Sequence, residues 1–117
     1  RRSTPEKSTK IRCGDMVLDT VSHLAYRFGK EIELTTKEYA LLEYLMRNKN
    51  RILSRSTITQ HVWKHSFDPE SNIIDVYIKR LRSKIETEDT RPLIQSIRGV
   101  GYRLRETMHP EGVTQSL

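Results

Sequence analysis

The sequence predicts a small α+β domain in which short strands come first, three helices follow, and a β-hairpin closes the fold. Its 117 residues suit a single domain with one modest core. Residues 11–34 alternate short apolar runs with turn signals, which is typical of strands. Residues 35–85 instead carry apolar residues at helical spacing, and residues 93–104 form two apolar runs around a Gly-x-Gly turn.

The composition favours a polyanionic partner. The 21 Lys and Arg residues outnumber the 15 Asp and Glu residues, which leaves a formal net charge of +6. A basic excess favours nucleic acid first and an acidic membrane surface second. No apolar run approaches the ~18 residues of a membrane span, and no signal peptide is visible, so we expect no membrane association. The one cysteine, Cys13, allows no internal disulfide and fits a cytoplasmic location.

Four short strands are predicted at residues 11–13, 16–19, 24–28 and 32–34. Gly14-Asp15 is a turn signal after the first strand, and Gly29-Lys30 predicts a hairpin turn before the last. Together the strands predict a small antiparallel sheet. Cys13 lies in the first strand and is predicted to be a small core residue, with a redox-sensing role left open.

Three helices are predicted between residues 35 and 85. Thr35 and Glu38 form a capping box at the start of the first, and Ser54 caps the second. Pro69 disfavours helix at Asp68, so this segment is a loop, and the third helix runs from about residue 71 to residue 85. The residues predicted to face the core are Tyr39, Leu42, Leu45 and Met46 in the first helix, and Ile58, Val62 and Trp63 in the second.

The third helix carries the main functional signal. At about 100° per residue, its apolar stripe falls within an arc of roughly 60° that must face the core. That stripe consists of Ile74, Ile78, Leu81 and Ile85. The opposite side carries Asn72, Val76, Lys79 and Ser83, with Arg80 on one flank. Residues 79–84 hold four cations in six positions, and Asp75 is the only acid between residues 72 and 85.

Such a helix can enter a major groove about 12 Å wide, where its cations meet phosphates. Asn72 and Arg80 have the donors to read bases, and Val76 can pack on a thymine methyl group. The same cations are also typical of an ordinary solvated helix face. The lack of alternating charge favours nucleic acid over that alternative.

The C-terminal hairpin is the second functional signal. Residues 98–102 have the sequence Arg-Gly-Val-Gly-Tyr, in which both glycines permit a positive φ and hence a tight turn. Arg98 near the tip suits the negative potential of a minor groove, Ser96 can contact a phosphate, and Arg103 adds charge. Tyr102 is predicted to be a core anchor, and a surface hairpin with an incidental arginine is the alternative.

The sequence predicts neither catalysis nor a metal or cofactor site. His61 and His65 have the spacing of metal ligands on a helix, but no third ligand is evident. No glycine-rich phosphate loop and no convergent nucleophile and base are present. A nucleolytic or RNA-binding domain is a weaker alternative, since cleavage needs metal-binding carboxylates or a general base.

Four segments in register resemble the C-terminal effector domain of OmpR/PhoB-type response regulators. They are residues 34–42 (LTTKEYALL), 53–55 (LSR), 72–85 (NIIDVYIKRLRSKI) and 94–103 (IQSIRGVGYR). The match extends over about residues 11–105. It implies a winged helix-turn-helix with an N-terminal four-stranded antiparallel sheet, three helices and a C-terminal β-hairpin wing. It also implies sequence-specific binding of double-stranded DNA as the output domain of a two-component response regulator controlling transcription.

The resemblance assigns roles to individual positions. The third helix is the recognition helix, Arg80 matches a position that contacts bases or nearby phosphates, and Arg98 matches one that enters the minor groove. Asn72 stands where some relatives carry arginine, so sequence preference is expected to differ. The residues expected to contact DNA are Asn72, Val76, Lys79, Arg80, Ser83, Lys84, Ser96, Arg98 and Arg103.

The resemblance also implies partners. Residues 1–10 are expected to be a linker from an N-terminal receiver domain, residues 11–106 the DNA-binding domain, and residues 107–117 a flexible tail. The receiver would be phosphorylated through a cognate histidine kinase, and two copies would bind direct repeats head to tail. A loop is implied to contact RNA polymerase: His65, Ser66, Phe67, Asp68, Pro69, Glu70 and Ser71. A protein-interaction module is the main alternative, and its surface would expose aromatic and aliphatic anchors.

Overall fold

The computed structural model describes residues 9–64, 72–86 and 92–106. These residues form a four-stranded sheet, three helices and a three-stranded sheet. In chain order the elements are β1 (Lys10–Cys13), β2 (Met16–Asp19), β3 (Leu24–Arg27), β4 (Lys30–Ile32), α1 (Thr36–Arg47), β5 (Leu53–Ser54), α2 (Arg55–Val62), α3 (Ile73–Ile85), β6 (Ile94–Ile97) and β7 (Gly101–Leu104). The predicted loop at residues 65–71, most of the predicted linker and the predicted tail lie outside the described residues.

The N-terminal sheet is antiparallel, in the order β1-β2-β3-β4, which confirms the predicted sheet. One strand is displaced from its prediction. The fourth strand was expected at residues 32–34 but spans Lys30–Ile32. The reason is the turn, because Phe28 and Gly29 both have a positive φ, of 55° and 78°. Such a two-residue turn pairs Arg27 directly with Lys30, so the returning strand begins at once.

Local capping fixes the starts of α1 and α2 as predicted. The Thr35 side chain accepts from the Glu38 backbone N–H, and the Glu38 carboxylate accepts from the Thr35 N–H. The Ser54 hydroxyl accepts from the Thr57 N–H at 3.1 Å. The predicted apolar faces pack inward, although Trp63 is only half-buried.

The core joins the N-terminal sheet to all three helices. The stripe of α3 is buried as predicted, with Ile74, Ile78, Leu81 and Ile85 at most 4% exposed. Cys13 is fully buried among apolar side chains, which confirms it as a core residue. Burial, reinforced by the nearby Glu106 carboxylate, raises the pKa of Cys13 to about 11, so its thiol stays protonated at neutral pH. The buried Arg27 pairs with Asp15 at 2.6 Å and donates to the carbonyl of Ile85 at the end of α3.

The C-terminal hairpin, β6 and β7, is part of a larger sheet than the sequence predicts. The short strand β5 pairs with β7, which gives the order β5-β7-β6. Only the first glycine of the Gly-x-Gly turn supports the expectation of positive φ, since Gly99 has φ 74° and Gly101 does not. Gly101 serves close approach instead, because a Cβ there would lie 1.9 Å from the carbonyl oxygen of Leu53.

None of the helices that the structure describes is long and apolar enough to span a bilayer.

Candidate nucleic-acid interface

The side of α3 opposite the core forms what we call the outward arc: Asn72, Val76, Lys79 and Ser83. Asn72, Lys79 and Ser83 are exposed, as predicted, whereas Val76 is half-buried. The helix begins at Ile73, and Asn72 occupies the N-cap position without a side-chain capping bond. Its amide therefore remains available to an outside partner.

We call the hairpin formed by β6 and β7 the wing. One side of α3 is hydrogen-bonded to it, and we call that side the wing flank: Asp75, Arg82 and the C-cap residue Glu86. The Tyr102 hydroxyl donates to the Asp75 carboxylate. Arg82 Nη2 donates to the Ile94 carbonyl at 3.0 Å and to Ser96 Oγ at 2.9 Å.

The base of the wing is held by Glu86. Its carboxylate accepts from the backbone N–H groups of Leu93 and Ile94, at 2.8 and 3.0 Å. The contacts follow the order of the helix, since Asp75 near the start of α3 meets Tyr102 next to the wing tip. The hairpin therefore runs alongside α3, with its tip near the N-terminal end of the helix.

Asp75 also connects the wing to α2. Arg55 Nε and Nη2 donate to its carboxylate at 3.1 and 2.9 Å. Burial opposes ionisation of Asp75, but the hydrogen bonds from Tyr102 and Arg55 outweigh it and hold the pKa of Asp75 below its ordinary value. Burial, together with the bond to Asp75, raises the pKa of Tyr102, so its hydroxyl remains a donor at neutral pH.

The other side of α3 faces α1 and α2. This helix flank consists of Tyr77, Arg80 and Lys84. Lys84 Nζ lies 2.6 Å from the buried carboxylate of Glu38. Burial disfavours the charged form of Glu38, but Lys84 and the Thr35 N–H more than compensate, so the pKa of Glu38 is lowered. The Arg80 guanidinium lies over the ring of Tyr77, 5.2 Å from its centroid.

The tip of the wing, residues 98–100, is exposed. No residue within 9–64, 72–86 or 92–106 forms a hydrogen bond or an ion pair with the side chain of Arg98, and the same holds for Lys79. Val100, two residues after Arg98 in the same turn, is 48% exposed. The tip thus presents one uncompensated cation and a small apolar side chain.

Three predicted DNA contacts have partners inside the protein. Lys84 is paired with Glu38, Ser96 accepts from Arg82, and Arg103 donates to Gln95 Oε1 at 2.8 Å. Their roles toward DNA stay predictions, as do those of the other residues named from the sequence. Of the outward arc, Arg80, Ser96 and the wing tip, every residue except the half-buried Val76 is exposed.

Several residues that join α3 to the wing or to α1 and α2 could not be identified as such from the sequence. Asp75 carried the one available signal, because it is a lone acid in a run of cations. The sequence indicates no partner for Arg82 and no role for Tyr77. Glu38 forms the predicted capping box, and in addition it is 2% exposed and pairs with Lys84, which the sequence does not indicate.

Within the described parts of the chain, no group of three or more His, Cys, Asp or Glu side chains is placed to hold a metal ion. His61 stacks on Tyr44 with ring centroids 4.4 Å apart. His65, the other member of the predicted pair, lies outside the described residues.

Comparison with known proteins agrees with this geometry. The family described as "Transcriptional regulatory protein, C terminal" matches residues 29–104. The transcriptional regulatory protein PcoR of Escherichia coli is 43% identical over 104 residues, which cover 89% of this chain and 46% of PcoR. The chain thus spans about half the length of this curated relative.

Two solved structures have the same fold. The DNA-binding domain of CpxR from E. coli aligns with a TM-score of 0.75 and 28% identity, over 85% of this chain and 98% of that one. The DNA-binding domain of Klebsiella pneumoniae RstA, in complex with the RstA box, gives a TM-score of 0.76 and 25% identity, over 84% of this chain and 98% of that one. With its winged helix-turn-helix architecture and the match over residues 29–104, the chain belongs to the transcriptional regulatory protein C-terminal family, the OmpR/PhoB-type effector domains.

Proposed function

We propose that the chain is the DNA-binding output domain of a two-component response regulator that controls transcription. In this proposal α3 enters the major groove of duplex DNA, and the wing tip enters the adjacent minor groove. The observation that carries it is the division of charge on α3. Its exposed cations lie on the outward arc and the helix flank, whereas its single acid, Asp75, is engaged by Tyr102 and Arg55. A polyanion therefore meets cations and donors without a competing carboxylate.

The proposed contacts are of three kinds. Base contacts come from Asn72, Val76 and Arg80, because these residues offer donors or a methyl group to base edges. Phosphate contacts come from Lys79, Ser83, Lys84, Ser96 and Arg103 and supply much of the affinity. Arg98 is proposed for the minor groove.

The distribution of exposed apolar residues supports DNA over a protein partner. Docking surfaces present aromatic and aliphatic anchors at their centre. Among the residues that the structure describes, the large apolar side chains with the greatest exposure are Val21, Phe28, Ile52 and Val100. Only Val100 belongs to α3 or the wing, so the proposed interface lacks a cluster of anchors.

A duplex selected from a random pool provides the ligand for the test. We expect Arg80→Ala and Arg98→Ala each to weaken binding of that duplex by about 1–3 kcal/mol in a titration at moderate salt. Affinity should also fall steeply as salt rises, because each neutralised phosphate releases counterions. The duplex should shift the amide signals of residues 72–83 and 96–101.

Arg47→Ala is the charge-matched control, since Arg47 is exposed at the end of α1 and pairs with Glu43. It lowers the net charge by the same amount without altering α3 or the wing. Binding by Arg80→Ala and Arg98→Ala that equals binding by Arg47→Ala would refute the assignment of these contacts.

The remaining features of the proposal concern the longer protein. We propose residues 11–106 as the DNA-binding unit, residues 1–10 as a linker from a receiver domain, and residues 107–117 as a tail; the family match over residues 29–104 lies within the first of these. We propose a cognate histidine kinase as the signal source, a head-to-tail dimer on direct repeats, RNA polymerase as a partner of residues 65–71, and a cytoplasmic location. The domain acts by binding and not by catalysis.

A further inference from the structure

A row of four side chains, with two aromatic rings between two cations, runs across the helices and ends at Arg80. Lys37 Nζ of α1 lies 5.7 Å from the ring centroid of Trp63, at the C-terminus of α2. Trp63 packs edge to face against Tyr77 of α3, with centroids 5.1 Å apart and planes at 80°. Arg80 Cζ lies 5.2 Å from the centroid of Tyr77. All three distances fall within the range of favourable aromatic contacts.

The ring of Tyr77 restrains the Arg80 side chain without occupying the N–H donors of its guanidinium. None of the residues in the described segments forms a hydrogen bond or an ion pair with the Arg80 guanidinium, so Tyr77 is its contact. A ring face attracts the cation through its quadrupole and leaves the N–H groups at the edge of the guanidinium plane unoccupied. This differs from Arg82, whose donors are taken by Ile94 and Ser96.

The orientation of Tyr77 is itself set by another helix. Tyr77 and Trp63 are both half-buried, and Trp63 is fixed at the C-cap of α2, where its backbone N–H donates to Thr59. Lys37 covers Trp63 while donating to the Val62 carbonyl at 3.2 Å. The ring under Arg80 is therefore supported by α1 and α2 together.

We propose that Tyr77, supported by Trp63, is a positioning residue that aims the Arg80 guanidinium for base readout. The inference rests on the proposed function. A base contact depends on the direction of the donors, whereas a phosphate contact requires mainly charge. Tyr77 therefore contributes to sequence preference more than to general affinity for DNA.

The test is a double-mutant cycle on Tyr77→Leu and Arg80→Ala, measured with the selected duplex and with a scrambled duplex of the same length. We expect Tyr77→Leu to weaken binding of the selected duplex about three- to tenfold, and binding of the scrambled duplex less than about twofold. In the Arg80→Ala background, Tyr77→Leu should change binding of the selected duplex less than about twofold. Tyr77→Phe keeps the ring and should bind like wild type.

Tyr44→Leu is the matched control, because Tyr44 is a half-buried aromatic residue of α1 that stacks on His61 and not on a cation of α3. It should leave binding of both duplexes unchanged. A second readout needs no DNA. In the free protein, the Arg80 side-chain N–H signal should carry a ring-current shift that Tyr77→Phe keeps and Tyr77→Leu removes.

The outcomes separate the two proposals. An equal loss from Tyr77→Leu with and without Arg80, or a failure of Tyr77→Phe to restore binding, overturns the positioning role while leaving DNA binding intact. An Arg80 signal that Tyr77→Leu does not move also overturns it. Wild-type binding by Arg80→Ala instead refutes the assigned base contact, and with it the reason for positioning Arg80.

Discussion

The two flanks of α3 hold their side chains in different ways. On the wing flank, Asp75, Arg82 and Glu86 are all hydrogen-bonded to the wing, so their polar groups are used within the protein. On the helix flank, Lys84 is paired but Arg80 is restrained only by a ring face. The wing flank therefore determines where the wing lies, and the helix flank restrains a cation that can still bind a partner. Within the described residues, the side chains of the wing flank are thus bound to the wing, whereas Arg80 on the other flank keeps its donors unoccupied.

The largest expected effect is at Gly101, where the returning strand of the wing begins. Gly101→Ala places a Cβ 1.9 Å from the Leu53 carbonyl oxygen, so backbone must move. We expect a loss of about 3 kcal/mol or more in the free energy of unfolding, measured by denaturant titration. Amide signals of Asp75 and Arg82 should also shift, because the wing flank depends on the wing.

Gly99→Ala is the matched control for that variant. Gly99 has φ 74° but open space around it, so only backbone strain of about 1–2 kcal/mol is expected. Equal losses from the two variants would contradict the close-approach role of Gly101.

A smaller effect is expected from Glu38 on the other side. Glu38→Gln keeps an acceptor for the Thr35 N–H but removes the charge beside Lys84, and we expect a loss of about 1–2 kcal/mol at neutral pH. Because the pKa of Glu38 is lowered from 4.5, its contribution is complete above that pH and is lost as pH falls through the lower folded-state value. The variant should therefore lose less stability than wild type on acidification.

Glu43→Gln is the control, because Glu43 forms an exposed pair with Arg47 within α1. Such pairs contribute about 0–1 kcal/mol. A stability–pH profile of Glu38→Gln that runs parallel to wild type below pH 4.5 would rule out Glu38 as the titrating group.

Asp75→Asn sharpens the comparison on the wing flank. The carboxylate is partly exposed, so the expected loss of stability is only about 1 kcal/mol. The clearer readout is the ratio of dissociation constants for the scrambled and selected duplexes. Under the proposed function, we expect removal of the acid to raise the affinity for both duplexes, and the loosening of Tyr102 and Arg55 to lower this ratio. An unchanged ratio would show that the wing keeps its place without Asp75.

The smallest effect is expected from Ser96→Ala. Arg82 loses one acceptor but keeps the Ile94 carbonyl, so stability should fall by less than about 0.5 kcal/mol in the same denaturant titration. A loss above about 1 kcal/mol would mean that the hydroxyl, and not the carbonyl, fixes Arg82.

Much of the fold follows from local chemistry that the sequence displays. The two residues of the capping box, Thr35 and Glu38, are three positions apart, and the buried stripe of α3 repeats every three or four residues, so both were predictable. The contacts that arrange the interface are not local. Tyr102 and Asp75 are 27 residues apart, and Lys84 and Glu38 are 46 apart.

The glycine turn and β5 illustrate the same limit. Two glycines separated by one residue suggest two left-handed conformations. Gly101 is needed for a different reason, because the backbone of β5, which begins at residue 53, passes directly beside it. A strand of only two residues has no periodicity to detect. The exposed positions of the outward arc were predictable from helical geometry, whereas the partners of Arg82, Arg103 and Lys84 depended on the tertiary fold.

Ser54 belongs to two elements at once, since it pairs with Gly101 in the C-terminal sheet and caps α2 with its hydroxyl. The hairpin and α2 are consequently joined through this one residue. A duplex would therefore contact the helices and the hairpin at two positions a fixed distance apart. One base pair inserted between the two contacted positions of the DNA shifts the second position by about 3.4 Å along the helix axis. We therefore expect the domain to discriminate the spacing between the bases that α3 contacts and those that the wing contacts as strictly as it discriminates the identity of the bases.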